Sequence, residues 1–220
     1  MSKLYDIAKK CIPPVFYPLF TSTKKDINET VSPIQLRHIC RYEFAQKHLK
    51  GNKILDSACG SGYGSDLLEP YSEYVGIDYA DYCITYARNN YSAGHRSFFE
   101  TDIYKLNEQF QYNSFDTIIS FETLEHIYYP EKALEVLLDL LKDDGKLIIS
   151  IPLNHPDIVY HKKIYSHRDV LEFLQAFVIS NRIHYKEYIQ YHLSISPLES
   201  PLPSNANGTW IGILQKTSKE

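Results

Sequence analysis

The sequence predicts an α/β protein whose mostly parallel sheet carries helices on both faces and ends in an antiparallel strand pair. Three observations carry this. Short apolar runs alternate with helix-period segments from residue 32 into the 170s, the rhythm of parallel strands joined by crossover helices. A glycine-rich turn follows the first apolar run at once, in "KILDSACGSGYGS", residues 53–65. The tail then breaks the rhythm, because residues 183–189 and 209–215 read as strands with no helix between them.

The elements follow in order. Residues 1–31 show no sustained period and read as an N-terminal arm or lid, which leaves 32–220 as one domain. In "SPIQLRHICRYEFAQKHLKG", Ser32 suits an N-cap and Pro33 the first helical position. Gln35 completes a capping box, and Gly51 ends the helix. Residues 53–55 form the first strand, and a short helix is expected over 63–68. "EYVGID" is a second strand ending at Asp78, "DYCITYARNN" a helix capped by Asp81, and "RSFFETD" a third strand ending at Asp102. "SFDTIISFE" is the fourth. After Pro130, Leu134, Leu137, Leu138 and Leu141 fall on one helical face. "DDG" turns the chain into the fifth strand, "KLIISIP", and Ser166 caps a helix that turns Val170, Leu174 and Phe177 inward. Between the two tail strands, "LSISPLESPLPSNANG" reads as a loop.

Bulk properties narrow the function. A chain of 220 residues, 44% hydrophobic and 23% charged, suits one soluble domain with one core. The net charge of −4 supplies no basic field for a polyanion, which argues against a nucleic-acid partner. Cys11, Cys40, Cys59 and Cys83 form no CxxC pair and read as reduced thiols of a cytoplasmic protein. "CIPPVFYPLF" is too short and too proline-rich to span a bilayer, and the residues before it do not read as a secretion signal. The expected assembly is a monomer or homodimer.

The glycine-rich turn poses the chemical question. Gly60, Gly62 and Gly64 bare the backbone toward a ligand at the carboxyl end of the first strand. A dinucleotide would present a pyrophosphate there. Asp56 would repel it, and the third glycine of a G-x-G-x-x-G pattern is replaced by Ser65. A cationic nucleoside without phosphate fits better, and S-adenosylmethionine carries a sulfonium and an ammonium. Asp78 lies at the offset of a ribose-binding acid, and Asp102 can accept from an adenine amino group. The alternative is that these acids only cap the elements that follow them.

"LDSACGSGYGS", "VGID", "ETDI" and "FDTIISFETLEHI" closely resemble class I S-adenosylmethionine-dependent methyltransferases, from about residue 41 to 152 and more weakly beyond. The resemblance implies a Rossmann-like, seven-stranded sheet with the last strand inserted antiparallel. It implies that Gly60 and Gly62 line the methionine part of the cofactor and that Asp78 holds the ribose. Asp102 with Ile103 holds adenine, and Ser120 and Phe121 lie near the amino group and sulfur. Asp56, Ala58, Tyr63, Tyr79 and Thr101 complete the implied cofactor-binding set. Arg41 either reaches the cofactor carboxylate or is a surface arginine. Cys59 reads as a small packing residue. "RYEFA", the glycine turn and "FETLEHI" look most like bacterial methyltransferases of polysaccharide and nucleotide-sugar pathways.

The expected activity is therefore methyl transfer to a small acceptor, a sugar or glycan hydroxyl or an amine, with S-adenosylhomocysteine as the product. Oxygen acceptors gain from a general base. His126 is the candidate, with Glu122 or Glu125 orienting it or acting in its place; alternatively "LEHI" only starts a helix. Tyrosines at 128, 129, 160, 165, 185, 188 and 191 could meet a sugar or flat ring, or simply pack. His155, His161 and His167, six apart, match no standard zinc spacing, so no metal is expected. The rivals are a non-catalytic S-adenosylmethionine-binding module and an NAD-dependent oxidoreductase.

Overall fold

The structure, a computed structural model, describes residues 33–155, 160–180 and 182–217. The expected arm, residues 1–31, and the Ser32 cap lie outside them. Helix α1 (Pro33–Gln46) leads into β1 (Lys53–Ser57), the short α2 (Gly64–Leu67), β2 (Glu73–Asp78), α3 (Asp81–Tyr91) and β3 (Arg96–Glu100). A 3-10 turn (Ile103–Lys105), α4 (Leu106–Gln109), β4 (Phe115–Phe121) and a second 3-10 turn (Leu124–His126) follow. The chain ends with α5 (Pro130–Leu140), β5 (Leu141–Leu153), α6 (His167–Ile179), β6 (Ile183–Tyr191), β7 (Ser194–Pro197) and β8 (Gly208–Lys216).

The sheet runs β3-β2-β1-β4-β5-β8-β6-β7. Strands β1 to β5 pair in parallel. β8 slots antiparallel between β5 and β6. All seven expected strands are present. An eighth, β7, lies in the stretch that reads as a loop. His192 takes a left-handed backbone (φ 52°), so the chain reverses within two residues and Ser194 pairs back on Tyr191.

Strand alternation splits the core between two faces. Leu55, Ile118, Leu147 and Trp210 pack with Leu134, Leu137, Val170 and Leu174, from α5 and α6. Ile54, Ile119, Ile148 and Ile211 pack on the other face with Tyr42, Ala45, Ile84 and Ala87, from α1 and α3.

Several local boundaries differ from the sequence reading. Leu141, expected on the helical face with Leu134, pairs with Phe115 and opens β5 instead. Helix α1 stops at Gln46, before Gly51. The chain must leave the helix early to reach β4: Lys50 N–H bonds Thr117 Oγ1, and the Asn52 and Lys53 amides bond Asp116 Oδ2. Gly51 sits in that crossing at φ 62°, where a Cβ would fall 2.3 Å from Asp116. Asp81 is the first residue of α3 and not its cap; Ala80 holds the cap position without a side-chain bond. β3 ends at Glu100, and Asp102 caps the following 3-10 turn. Ser166 does cap α6, in a full capping box with Asp169.

Candidate active site

The strand order reverses between β1 and β4, because β1 pairs with β2 on one side and β4 on the other. In open α/β sheets the crevice beyond the carboxyl ends at that reversal is where ligands bind. The loop from 58 to 63 occupies its floor.

That loop is held from below. Cys59 N–H bonds the Ile77 carbonyl. Gly60 N–H donates to Asp78 Oδ2 at 2.9 Å, and Ala80 N–H donates to Asp78 Oδ1 at 2.9 Å. Burial pushes the Asp78 carboxyl up from its ordinary range, against the pull of those amides. A Cβ on Gly60 (φ 55°) would meet nothing within 4 Å, so its backbone borders open space. Gly62 (φ 84°) has a different reason to be glycine: a Cβ there would strike Ala87 and Phe98 at 2.7 and 2.8 Å. Ala58 adopts φ 65°, strained for a residue with a Cβ, at the entry to the loop. Cys59 is buried among packing residues, in keeping with a structural role.

Asp56 requires a correction. The sequence reading gives it bare negative charge toward a ligand. The structure encloses it, 1% exposed. Its Oδ2 accepts from the Tyr42 hydroxyl at 2.9 Å and the Tyr74 hydroxyl at 2.7 Å. Burial pushes its carboxyl up to about 7, although both tyrosine bonds pull it down. Asp56 thus ties α1 and β2 to the loop's root, and its Oδ1 has no hydrogen-bond partner. Tyr42 and Tyr74 were invisible as site residues in the sequence, although Tyr42 lies in "RYEFA", because both reach Asp56 only through the packing of α1 and β2.

Arg41 is not a surface residue: it is 2% exposed. One terminal nitrogen donates to Gln190 Oε1 at 2.9 Å and Thr209 Oγ1 at 3.3 Å, and lies 3.5 Å from Glu122 Oε1. It therefore fastens α1 to β6, β8 and the end of β4. The remaining expected cofactor residues are spread around the crevice. Thr101 and Ile103 are buried, Asp102 receives the Tyr104 amide, and Tyr79 is open to solvent. Thr101 Oγ1 accepts from Gln109. Tyr63 and Phe121 both meet the Tyr42 ring edge-on.

Several buried polar atoms at this end lack partners: Ser57 Oγ, Ser120 Oγ, Asp56 Oδ1 and Arg41 Nε. Strand alternation puts Ser57 and Ser120 on the α5 and α6 side of adjacent strands, whereas Asp56 is enclosed on the α1 side with Tyr42. Buried polar atoms are normally satisfied, so the two hydroxyls at the ends of β1 and β4 leave capacity for a polar ligand.

Beyond β4 lie the expected catalytic residues. Glu122 takes a left-handed backbone (φ 49°), and its amide is held by Ser150. Glu125 is 1% exposed. Burial first, and the charge of Glu122 second, push its carboxyl well up. His126 is exposed, with Nε2 3.7 Å from Glu125 Oε1. Exposed Tyr128, Tyr129 and Tyr160 stand beside it in the chain and across the loop, whereas Tyr165 is fully buried. The fold sets His167 apart from the other two spaced histidines, since the His155 and His161 rings lie 5.5 Å apart. His167 is buried against Glu187, 2.8 Å away, while His161 lies edge-on to His126. The expectation of no metal rested on spacing alone, which could not show that grouping.

Residues 48–189 match the family described as "Methyltransferase domain". The chain belongs to this methyltransferase family. Membership implies S-adenosylmethionine as the cofactor, and the open backbone at Gly60, anchored by Asp78, fits it. The ubiquinone biosynthesis O-methyltransferase of Coxiella burnetii is 31% identical over 130 residues, 54% of this chain and 50% of that protein. The juvenile hormone acid O-methyltransferase of Bombyx mori is 28% identical over 137 residues, 58% of this chain and 49% of that one. The chain thus spans about half the length of the curated relatives it matches. Among solved structures, the 4+2 cyclase SpnF superposes with a TM-score of 0.63 at 14% identity, covering 84% of this chain and 82% of that one, a likeness of fold. No helix of the described residues is long and apolar enough to cross a membrane.

Proposed function

We propose that this protein transfers a methyl group from S-adenosylmethionine to an oxygen of a small acceptor, with a saccharide or nucleotide-sugar hydroxyl as the favoured class. The observation that carries the reading is the glycine loop at the reversal between β1 and β4, tied to Asp78 with its Gly60 backbone bordering open space. When bound, the cofactor supplies a sulfonium-activated methyl group. The chain's own residues do the rest. Asp78 retains acceptor capacity for the ribose hydroxyls, since a carboxylate has more lone pairs than the two amides use. Asp102 and Ile103 border the adenine. The Gly60 backbone and the Ser57 and Ser120 hydroxyls, unpartnered at the ends of β1 and β4, hold the amino acid end.

Positioning is the main task in such a displacement, because fixed alignment raises effective molarity. The acceptor side is built by Glu122, Glu125 and His126, which lower the cost of removing the acceptor proton. Exposed Tyr128, Tyr129 and Tyr160 offer flat faces with hydroxyl edges, suited to a sugar ring. The two relatives named above are both O-methyltransferases, which supports oxygen over nitrogen. Three buried, free thiols, Cys40, Cys59 and Cys83, suit a cytoplasmic setting.

The test is incubation of the protein with methyl-labelled cofactor and a panel of nucleotide sugars, saccharides, phenols and carboxylic acids. Label should appear on a hydroxyl, and Asp78→Ala should weaken S-adenosylhomocysteine binding about tenfold or more while leaving a folded protein. Tight cofactor binding with no labelled product from any acceptor would instead favour a binding module.

A further inference from the structure

The segment after β5 brings a second imidazole to the acceptor side. The main-chain carbonyl of Glu125 accepts from the amides of Lys162 at 2.6 Å and Lys163 at 3.3 Å. That pins the loop one residue beyond His161. The His161 ring then meets the His126 ring edge-on, with centroids 4.8 Å apart. The ligand-capable atoms of Glu125, His126 and His161 all lie within 4.8 Å of one another.

Two observations set this grouping apart from an ordinary polar surface. The Glu125 side chain is 1% exposed, yet neither carboxylate oxygen has a hydrogen-bond partner. A buried carboxyl in that state either keeps its proton or has a cation beside it. The second concerns His126. Its Nδ1 lies 3.3 Å from the Tyr160 carbonyl, which can only accept, so the hydrogen-bond network assigns the proton to Nδ1. In the neutral ring the lone pair is then on Nε2, and Nε2 is 3.7 Å from Glu125 Oε1. At that distance the two atoms make no hydrogen bond, whichever of them holds a proton. A shared cation satisfies both. An imidazole anchored through its other nitrogen to a backbone carbonyl is also the usual posture of a metal-ligating histidine.

We propose that Glu125, His126 and His161 bind one divalent transition-metal ion. Two imidazole nitrogens and one carboxylate favour zinc, manganese, iron or cobalt over magnesium or calcium, which take all-oxygen shells. Bonds of about 2.1 Å place tetrahedral ligand atoms about 3.4 Å apart, so the cluster contracts by roughly an ångström on loading. His161, on a loop and partly exposed, is the member that would make that shift, its ring sliding against His155. Three protein ligands leave coordination positions open. Resting on the methyl-transfer reading above, those positions would take the acceptor's oxygen, and coordination would lower the pKa of a bound hydroxyl. The ion would then do what a general base does in its absence.

The test uses the full chain, stripped with a chelator, dialysed and titrated calorimetrically with Mn²⁺ and with Zn²⁺. Binding of S-adenosylhomocysteine is measured in parallel. The expected result is one ion per chain, with affinity reduced about tenfold or more in both His126→Ala and His161→Ala. His184→Ala, on the exposed side of β6, should bind as the wild type does. Thermal melts of each variant confirm folding, and His161→Ala is the variant least able to disturb the core. The proposal is overturned if no stoichiometric ion binds, or if folded His161→Ala protein binds as tightly as wild type. S-adenosylhomocysteine binding retained in that case would leave the methyltransferase reading standing, whereas an ion bound as expected without any S-adenosylhomocysteine binding would strike that reading and not the metal site.

Discussion

Asp56 shows how far a single buried charge reaches. Its folded carboxyl titrates near 7, above the ordinary value of 3.8, because burial outweighs two tyrosine hydroxyls. Between those values the folded chain holds a proton that the unfolded chain has released. Stability from this group is therefore full below pH 4 and falls as pH rises through about 7. The swing is on the order of 4 kcal/mol for a fully enclosed group. Asp56→Asn removes the charge, so urea midpoints compared between about pH 5 and pH 8 should fall more steeply for wild type than for the variant. Parallel curves would show that the enclosure is not as dry as the structure makes it. Arg41 makes the opposite kind of contribution, as a buried cation with three partners. Arg41→Met strands Gln190 and Glu122 together and should cost about 3 kcal/mol, read from chemical denaturation. The sequence could not distinguish this arginine from a solvated one, because its partners lie 149 and 168 positions away.

Among the elements, those defined by local chemistry were legible. Ser166 and Asp169 are three apart, and the structure closes both bonds of the capping box. Ser166→Ala should lower stability by about 1 kcal/mol, measured by thermal melting, with the fold and cofactor affinity unchanged. The parallel strands were equally plain, since each is a short apolar run ended by a turn. The elements that escaped the sequence depend on distant partners. Helix α1 ends early because β4 captures residues 50–53 through Thr117 and Asp116, not because of any stop signal at its own end. Strand β7 exists because β6 offers it an edge, and its four residues carry no strand pattern of their own. His161 reaches His126 only through the backbone clasp on Glu125, which no spacing rule encodes.

At the scale of the whole molecule, function follows from strand order. The reversal between β1 and β4 opens the crevice, the glycine loop floors it, and Asp78 anchors that loop from the neighbouring strand. The groups proposed for the acceptor side lie beyond β4 and β5, one strand further along the same edge. The fold and its glycine turn at that reversal were readable from the alternating apolar runs and "KILDSACGSGYGS". The acceptor's identity was not, because the segments that would shape its pocket carry tyrosines and histidines without a motif. The most direct measurement is calorimetric titration of the protein with S-adenosylhomocysteine, set beside one with NADH. The account predicts one molecule of the former bound per chain and no heat from the latter; silence from S-adenosylhomocysteine, or saturable binding of NADH in its place, would contradict it.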